Sequence, residues 1–181
     1  MGSATRQPRY GARMSGTITL RVARHDDLDM LTRLIQASYA TLDDGSYDRA
    51  TIAAAMPFIS RANPVLLGSG TYFVAEAGGE PAGCGGWTRE KPGTTETAEG
   101  VAHIRHFATH PAHLRKGVAR LLLERCLKEA AEAGISSMKA QSTLPAEPFY
   151  AAAGFRRVRA IQVEIGKGLF LPAVEMEREL P

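Results

Sequence analysis

The stretch His103-Ile104-Arg105-His106-Phe107-Ala108-Thr109-His110-Pro111, continued by Ala112-His113-Leu114-Arg115-Lys116-Gly117-Val118-Ala119-Arg120-Leu121-Leu122-Leu123, decides how the rest of the chain is read. It reads as a strand, a short basic turn with a glycine, and the start of a long helix. The first N–H groups of a helix have no partner within it, and they sit at the positive end of its dipole. With Arg115 and Lys116 beside them, the turn is predicted to be an anion site suited to phosphate. Gly117 lets a ligand approach the backbone, and Ala119 keeps the first helical turn slim. Taken alone, the same residues also suit a strand–turn–helix unit with a solvated basic turn.

The length of 181 residues fits one domain with a sizeable core. A hydrophobic fraction of 44% and a charged fraction of 23% belong to an ordinary soluble globular protein. The net charge of +3 comes without a dominant Lys/Arg block, so no nucleic-acid partner is expected. A local positive site for an anionic cofactor accounts for the excess. Cys84 and Cys126 lack a partner at metal-ligand spacing and are expected to be buried free thiols in a reducing compartment. The five histidines show no metal spacing either, so no metal is expected. No apolar run is long enough to span a membrane, and no membrane partner is expected. Residues 1–15 are polar and basic without an apolar core. They read as a disordered tail rather than a secretory signal, which leaves 16–181 as a single domain in a cytoplasmic protein.

Along the chain, Thr17 to Val22 alternates as a strand. Leu28, Leu31, Leu34 and Ile35 then recur at helical spacing after Ala23-Arg24-His25-Asp26-Asp27, which supplies an N-cap candidate. A loop follows with Tyr39, Asp43, Asp44, Gly45 and Tyr47. A second helix is expected over Arg49 to Met56, stopped by Pro57, and Asn63 to Gly70 is expected to be loop. Thr71 to Ala77 and Pro81 to Thr88 form a hairpin around Gly78-Gly79. Glycines at 85 and 86 inside the second of these strands suggest a bulge or a close backbone approach. The central strand spans Val101 to Thr109. The helix after Arg115 carries Ala119, Leu122, Leu123, Cys126, Leu127 and Ala130 on one stripe and ends at Gly134. Ile135 to Ser142 is a further strand, Pro145 to Ala153 a short helix, and Phe155 to Glu164 and Phe170 to Glu177 two closing strands. About seven strands and four helices make a mixed α/β (α+β) domain.

A second feature lies in Pro145-Ala146-Glu147-Pro148-Phe149-Tyr150-Ala151-Ala152-Ala153-Gly154-Phe155. A Phe-Tyr pair, three residues, then Gly-Phe resembles the C-terminal motif of the GNAT superfamily of acyl-CoA-dependent N-acetyltransferases. Thr109-His110-Pro111 through Leu123 resembles the same family's cofactor motif, usually Gln/Arg-x-x-Gly-x-Gly/Ala. The order of elements fits from Thr17 to the end. The resemblance implies a mostly antiparallel seven-stranded sheet that splays open between its fourth and fifth strands, with the pantetheine arm of acetyl-CoA in the gap. It implies a bulge near Phe107 and Ala108 that frees backbone groups, up to Thr109, for pantetheine and the acetyl carbonyl. It puts the pyrophosphate on Arg115, Lys116, Gly117, Val118, Ala119 and Arg120. Two positions depart from the family pattern. Leu114 stands where the family has Gln or Arg, with Arg115 one place later, so one side-chain contact is lost while the amides stay. Thr143 stands seven residues before the tyrosine, where Asn is frequent, and its hydroxyl also donates.

Acetyl transfer needs a deprotonated amine, a donor to the thioester oxygen, and an acid for the departing thiolate. The resemblance makes Tyr150 the acid. As a core aromatic beside Phe149 and Phe155, Tyr150 would do no more than a phenylalanine does. Alternation puts His103, Arg105 and Phe107 on one strand face and His106 on the other. Ala102-His103-Ile104-Arg105 is similar to the Ala-His-Leu-His segment of arylalkylamine acetyltransferases of the superfamily, with the second histidine lost. His103 is therefore the candidate base, directly or through a chain of waters. Asp43, Asp44, Tyr39 and Tyr47 are candidates for attracting the acceptor amine, and Trp87 for lining its pocket. The expected activity moves acetyl from acetyl-CoA to a primary amine of a small molecule or peptide by direct attack. A non-catalytic acyl-CoA-binding module, and an acyltransferase acting on a protein amine or with a longer acyl chain, stay open. So does a homodimer.

Overall fold

A computed structural model of the chain describes residues 17–42, 44–166 and 168–181. The expected tail at 1–15 and the acceptor candidate Asp43 lie outside the described residues. β1 (Ile18–Val22) leads into α1 (Leu28–Tyr39), α2 (Arg49–Ile59) and the short α3 (Pro64–Leu67). β2 (Tyr72–Ala77), β3 (Glu80–Thr88) and β4 (Val101–Thr109) follow, then α4 (Val118–Glu132), β5 (Ser137–Thr143), α5 (Glu147–Ala152), β6 (Arg156–Gly166) and β7 (Leu169–Glu179). One seven-stranded sheet has the order β1-β2-β3-β4-β5-β7-β6. Its β4–β5 pair is parallel and its other pairs are antiparallel. This is the mixed, mostly antiparallel sheet implied by the resemblance.

Successive strand residues face opposite sides of a sheet, and the two sides here bury separate cores. Phe73, Ala102, Ile104, Met138 and Met176 pack under α4 and α5, with Leu122, Leu123, Cys126 and Tyr150 above them. Tyr72, Val74, Cys84 and Ala108 face the other way, onto Leu31 and Ile35 of α1 and Leu66 and Leu67 of α3. A smaller cluster of Tyr47, Ala55 and Leu171 seats α2 against β7. Cys84 and Cys126 are both buried and free.

Three expectations change. α2 does not stop at Pro57 but runs on to Ile59, closed by a bond from the Ser60 N–H to the Met56 carbonyl. Pro57 lies in the last turn, where its missing N–H deletes one bond and little of the helix follows it. The expected loop at 63–70 contains α3, which starts on an Asn63 side chain capping the Val65 N–H, with Pro64 in its first turn. Asp27 stands at the N-cap position of α1, but its side chain makes no cap bond to the helix. Its buried carboxylate takes a two-pronged contact from Arg21, at 2.7 and 2.8 Å, and the Arg24 N–H at 2.8 Å, which holds it ionised below the usual carboxylate range.

Candidate active site

β4 and β5 pair only at their starts, from Val101 with Ser137 to His103 with Lys139. Beyond these residues the strands diverge, and a cavity of about 340 Å³ fills the wedge. The ladder between β3 and β4 explains part of the divergence. Cys84 pairs with Ala108 and Gly86 with Arg105, so His106 and Phe107 together face the single residue Gly85. That is a bulge, one residue earlier than expected, and His106 bends through it with φ +47°. The bulged carbonyls are taken up from the α1 side of the sheet. The Tyr72 hydroxyl donates to the His106 carbonyl at 2.7 Å, and the Tyr39 hydroxyl lies 3.4 Å from that of Phe107. The Ser38 hydroxyl accepts the Thr109 N–H at 3.2 Å.

The bulge also reverses the expected faces. Phe107 points toward the α4 side, so closely against Gly85 that a Cβ there would lie 2.7 Å from its Cγ. His106 turns to the α1–α2 side instead, with its ring 5.6 Å from that of Tyr39. Its Nε2 lies 2.9 Å from the carbonyl of Ile59. Since a carbonyl only accepts, the neutral ring carries its proton on Nε2 and leaves the Nδ1 lone pair free. Burial pushes this imidazole below its ordinary value, so it is neutral at neutral pH. His106 was missed as a candidate because period-2 alternation assigns it to the wrong face. Paired glycines opposite a strand were the available signal.

The wedge brings together Phe107, Ala108, Thr109, Ala119, Thr143 and Tyr150. Tyr150 is 6% exposed, with its ring edge-on to Phe149 at 5.0 Å and to Phe155 at 5.4 Å. Among the described residues its hydroxyl has no hydrogen-bond partner, and burial raises its pKa well above the ordinary phenol, so it stays protonated. Arg115, Lys116, Gly117, Val118 and Arg120 form the turn and first helical turn next to Leu114 and Ala119 on the wedge wall. Arg115 and Gly117 both have positive φ, +59° and +83°. Gly117 is the α4 N-cap and supplies no side-chain cap; the first helical bond runs from the Leu121 N–H to the Gly117 carbonyl. The N–H groups of Val118, Ala119 and Arg120 therefore have no partner in the helix and suit an anion.

His103 does not line the wedge. It sits at the closed end, paired with Lys139, and burial with Lys139, Arg105 and Lys91 nearby pushes its imidazole down to about 4. Tyr47 is tied into the framework: its hydroxyl donates to the Pro172 carbonyl and accepts the Leu144 N–H, both at 2.9 Å. Asp44 is exposed and caps the Ser46 N–H. Trp87 is buried under α4 with Ala102 and Ile104. A second cavity, of about 430 Å³, opens on the α2 side of β4. Tyr39, Ile104, His106, Gln141 and Thr143 line both cavities and make up the wall, or throat, that the two share. Among the described residues no cluster of three or more His, Cys, Asp or Glu is arranged to hold a metal ion. Nor is any helix long and apolar enough to cross a membrane.

Comparison with known proteins gives a family by sequence and a fold by structure. The family model described as Acetyltransferase (GNAT) family matches residues 29–155. A search of curated proteins finds no match. Among solved structures, the chain is similar to the GCN5-related N-acetyltransferase from Rhodopseudomonas palustris, at 20% identity over 94% of this chain and 100% of that one, with a TM-score of 0.71. It is similar to the PaiA N-acetyltransferase from Thermoplasma acidophilum, solved in complex with coenzyme A, at 17% identity over 90% and 99%, with a TM-score of 0.67. Ard1 from Thermoplasma volcanium matches at 18% identity over 91% and 98%, with a TM-score of 0.63. At these identities the structures speak for the fold alone; the family model spans more than half of the chain, and on that ground the chain belongs to the GNAT acetyltransferase family.

Proposed function

We propose that the protein transfers an acetyl group from acetyl-CoA to a primary amine by direct attack. The observation that carries this reading is the throat: one wall of residues, His106 among them, is shared by the β4–β5 wedge and by the α2-side cavity. The wedge has the α4 N-terminus beside it for a pyrophosphate and Tyr150 within it for the thioester end. The second cavity has room for an amine. A thioester in one and an amine in the other meet at the throat without a covalent enzyme intermediate.

The amine nitrogen, as the free base, forms a bond to the acetyl carbonyl carbon and loses a proton to the free Nδ1 of His106. The C–S bond breaks, and the sulfur leaves as the thiol with the proton of the Tyr150 hydroxyl; the proton taken up by His106 restores the phenol through solvent, so both residues end as they began. A neutral imidazole and a protonated phenol are the forms these two roles need, and burial favours both. His103 would reach the amine only through a chain of waters.

The test is steady-state release of CoA from acetyl-CoA over a panel of amines, with the wild type and Tyr150→Phe. Loss of an acid is expected to lower kcat by about 10²–10⁴-fold with little change in the KM for acetyl-CoA. Equal kcat in the two proteins would remove Tyr150 from the chemistry. No release with any amine would remove the transferase reading.

A further inference from the structure

Most arginine side chains of the sheet and of α4 sit beside a carboxylate. Arg21 holds Asp27 and Glu76, Arg125 holds Glu129, Arg157 holds Glu147, and Arg159 holds Glu175. Arg105 does not. It is half-buried between the α2-side cavity and a larger hollow of about 870 Å³ next to it, and it lines both. Its Nη1 donates to the Thr88 hydroxyl at 2.6 Å, and that hydroxyl donates on to the Glu90 carbonyl at 3.0 Å. Among the described residues no carboxylate lies within ion-pair distance of it. The charge of the exposed Glu90 reaches it only through space.

A guanidinium has five N–H donors and no means of discharging itself at neutral pH. Half-burying it against one neutral hydroxyl costs free energy that an ion pair would offset. Its fork geometry suits a carboxylate, to which it can donate in parallel. Charges of both signs stand nearby: Lys91, Lys139 and Glu175 act with Arg105 on His103, and Glu164 lines the α2-side cavity. Arg105 is the guanidinium that lines that cavity, and a carboxylate entering it meets its free N–H donors. The adjacent residue on the strand is His106, at the throat.

We propose that the acceptor is a small aminocarboxylate, such as a free amino acid, whose carboxylate is held by Arg105 in the α2-side cavity while its amine faces His106. The proposal rests on the acetyl-transfer reading for the identity of the cavity. It adds the chemical class of the acceptor and makes Arg105 the residue that selects it.

The experiment compares acceptors that differ only at the carboxylate: an amino acid, its primary amide and its decarboxylated amine. Each is assayed with acetyl-CoA against the wild type, Arg105→Gln and Arg105→Lys. The wild type is expected to prefer the acid by at least about tenfold in kcat/KM, the range of a charge-assisted hydrogen bond. Arg105→Gln is expected to collapse that ratio to about one through a higher KM for the acid, and Arg105→Lys to restore part of it. Equal use of acid and amide by the wild type, or an unchanged ratio in Arg105→Gln, would overturn the proposal and leave acetyl transfer standing. If no amine were acetylated, acetyl transfer would fall instead. The proposal would then be read by calorimetry with the N-acetyl amino acid and its amide: tighter binding of the acid to the wild type than to Arg105→Gln supports it, and equal binding overturns it.

Discussion

His106 and Ile59 are joined in the wall of the α2-side cavity, with the imidazole Nε2 2.9 Å from the Ile59 carbonyl. Ile59 is the last residue of α2, so this carbonyl is one that the helix leaves without an internal partner. The bond therefore serves two ends. It closes the C-terminus of α2, and it fixes the tautomer of the histidine that bends through the β4 bulge.

That geometry makes His106 the proton acceptor in the proposed reaction. His106→Asn is expected to lower kcat/KM by about 10²–10⁴-fold while acetyl-CoA affinity is retained. The wild-type pH–rate profile is expected to keep a limb below pH 6.5, because burial lowers this imidazole, and the variant should lack it. A variant with wild-type kcat/KM and an unchanged profile would assign the proton elsewhere.

His103 has a consequence for stability rather than for rate. Its imidazole falls from 6.5 to about 4 on folding. Between those values the unfolded chain binds the extra proton and the folded chain does not. Stability is then fully present above pH 6.5 and is lost as the pH falls toward 4. The thermal midpoint of the wild type should drop over that window, and His103→Gln should flatten the drop. A drop of the same size in the variant would remove His103 as its source.

Gly85 is expected to be intolerant for a steric reason. Its backbone is ordinary, but a Cβ would lie 2.7 Å from Phe107 Cγ, and a ring packed against the core has little room to yield. Gly85→Ala should cost about 1–3 kcal/mol as an overpacked site. In a domain of this size each kcal/mol lowers the midpoint by about 2–4 °C. Because Phe107 stands in the wedge wall, acetyl-CoA binding should weaken as well. An unchanged midpoint would mean that the ring moves freely.

The order of strands and helices is legible in the sequence because most elements bury one face, and one-sided burial writes period 2 or period 3.6 into the residues. The basic turn at Arg115-Lys116-Gly117 and the Phe149-Tyr150 to Phe155 motif are legible for a related reason, being local and carried by residue types with few alternatives. What stays hidden depends on distance or on broken period. His106 changes face because one extra residue enters β4 there. Tyr47 looks like a free loop aromatic until the fold brings Pro172 and Leu144 to its hydroxyl. The lack of an acidic partner for Arg105 is a property of three-dimensional surroundings that composition cannot express.

Thermal denaturation with and without acetyl-CoA reads whether the β4–β5 wedge and the α4 N-terminus hold that ligand. A ligand that binds only the folded state stabilises it by about 2.7 kcal/mol at a hundredfold excess over Kd. The wild type should show a rise in midpoint that saturates with acetyl-CoA. Gly117→Glu, which puts an acidic side chain at the anion site, should show little rise at the same concentration. No rise in the wild type at millimolar acetyl-CoA, or an equal rise in both proteins, would mean that the wedge and the α4 N-terminus do not hold acetyl-CoA.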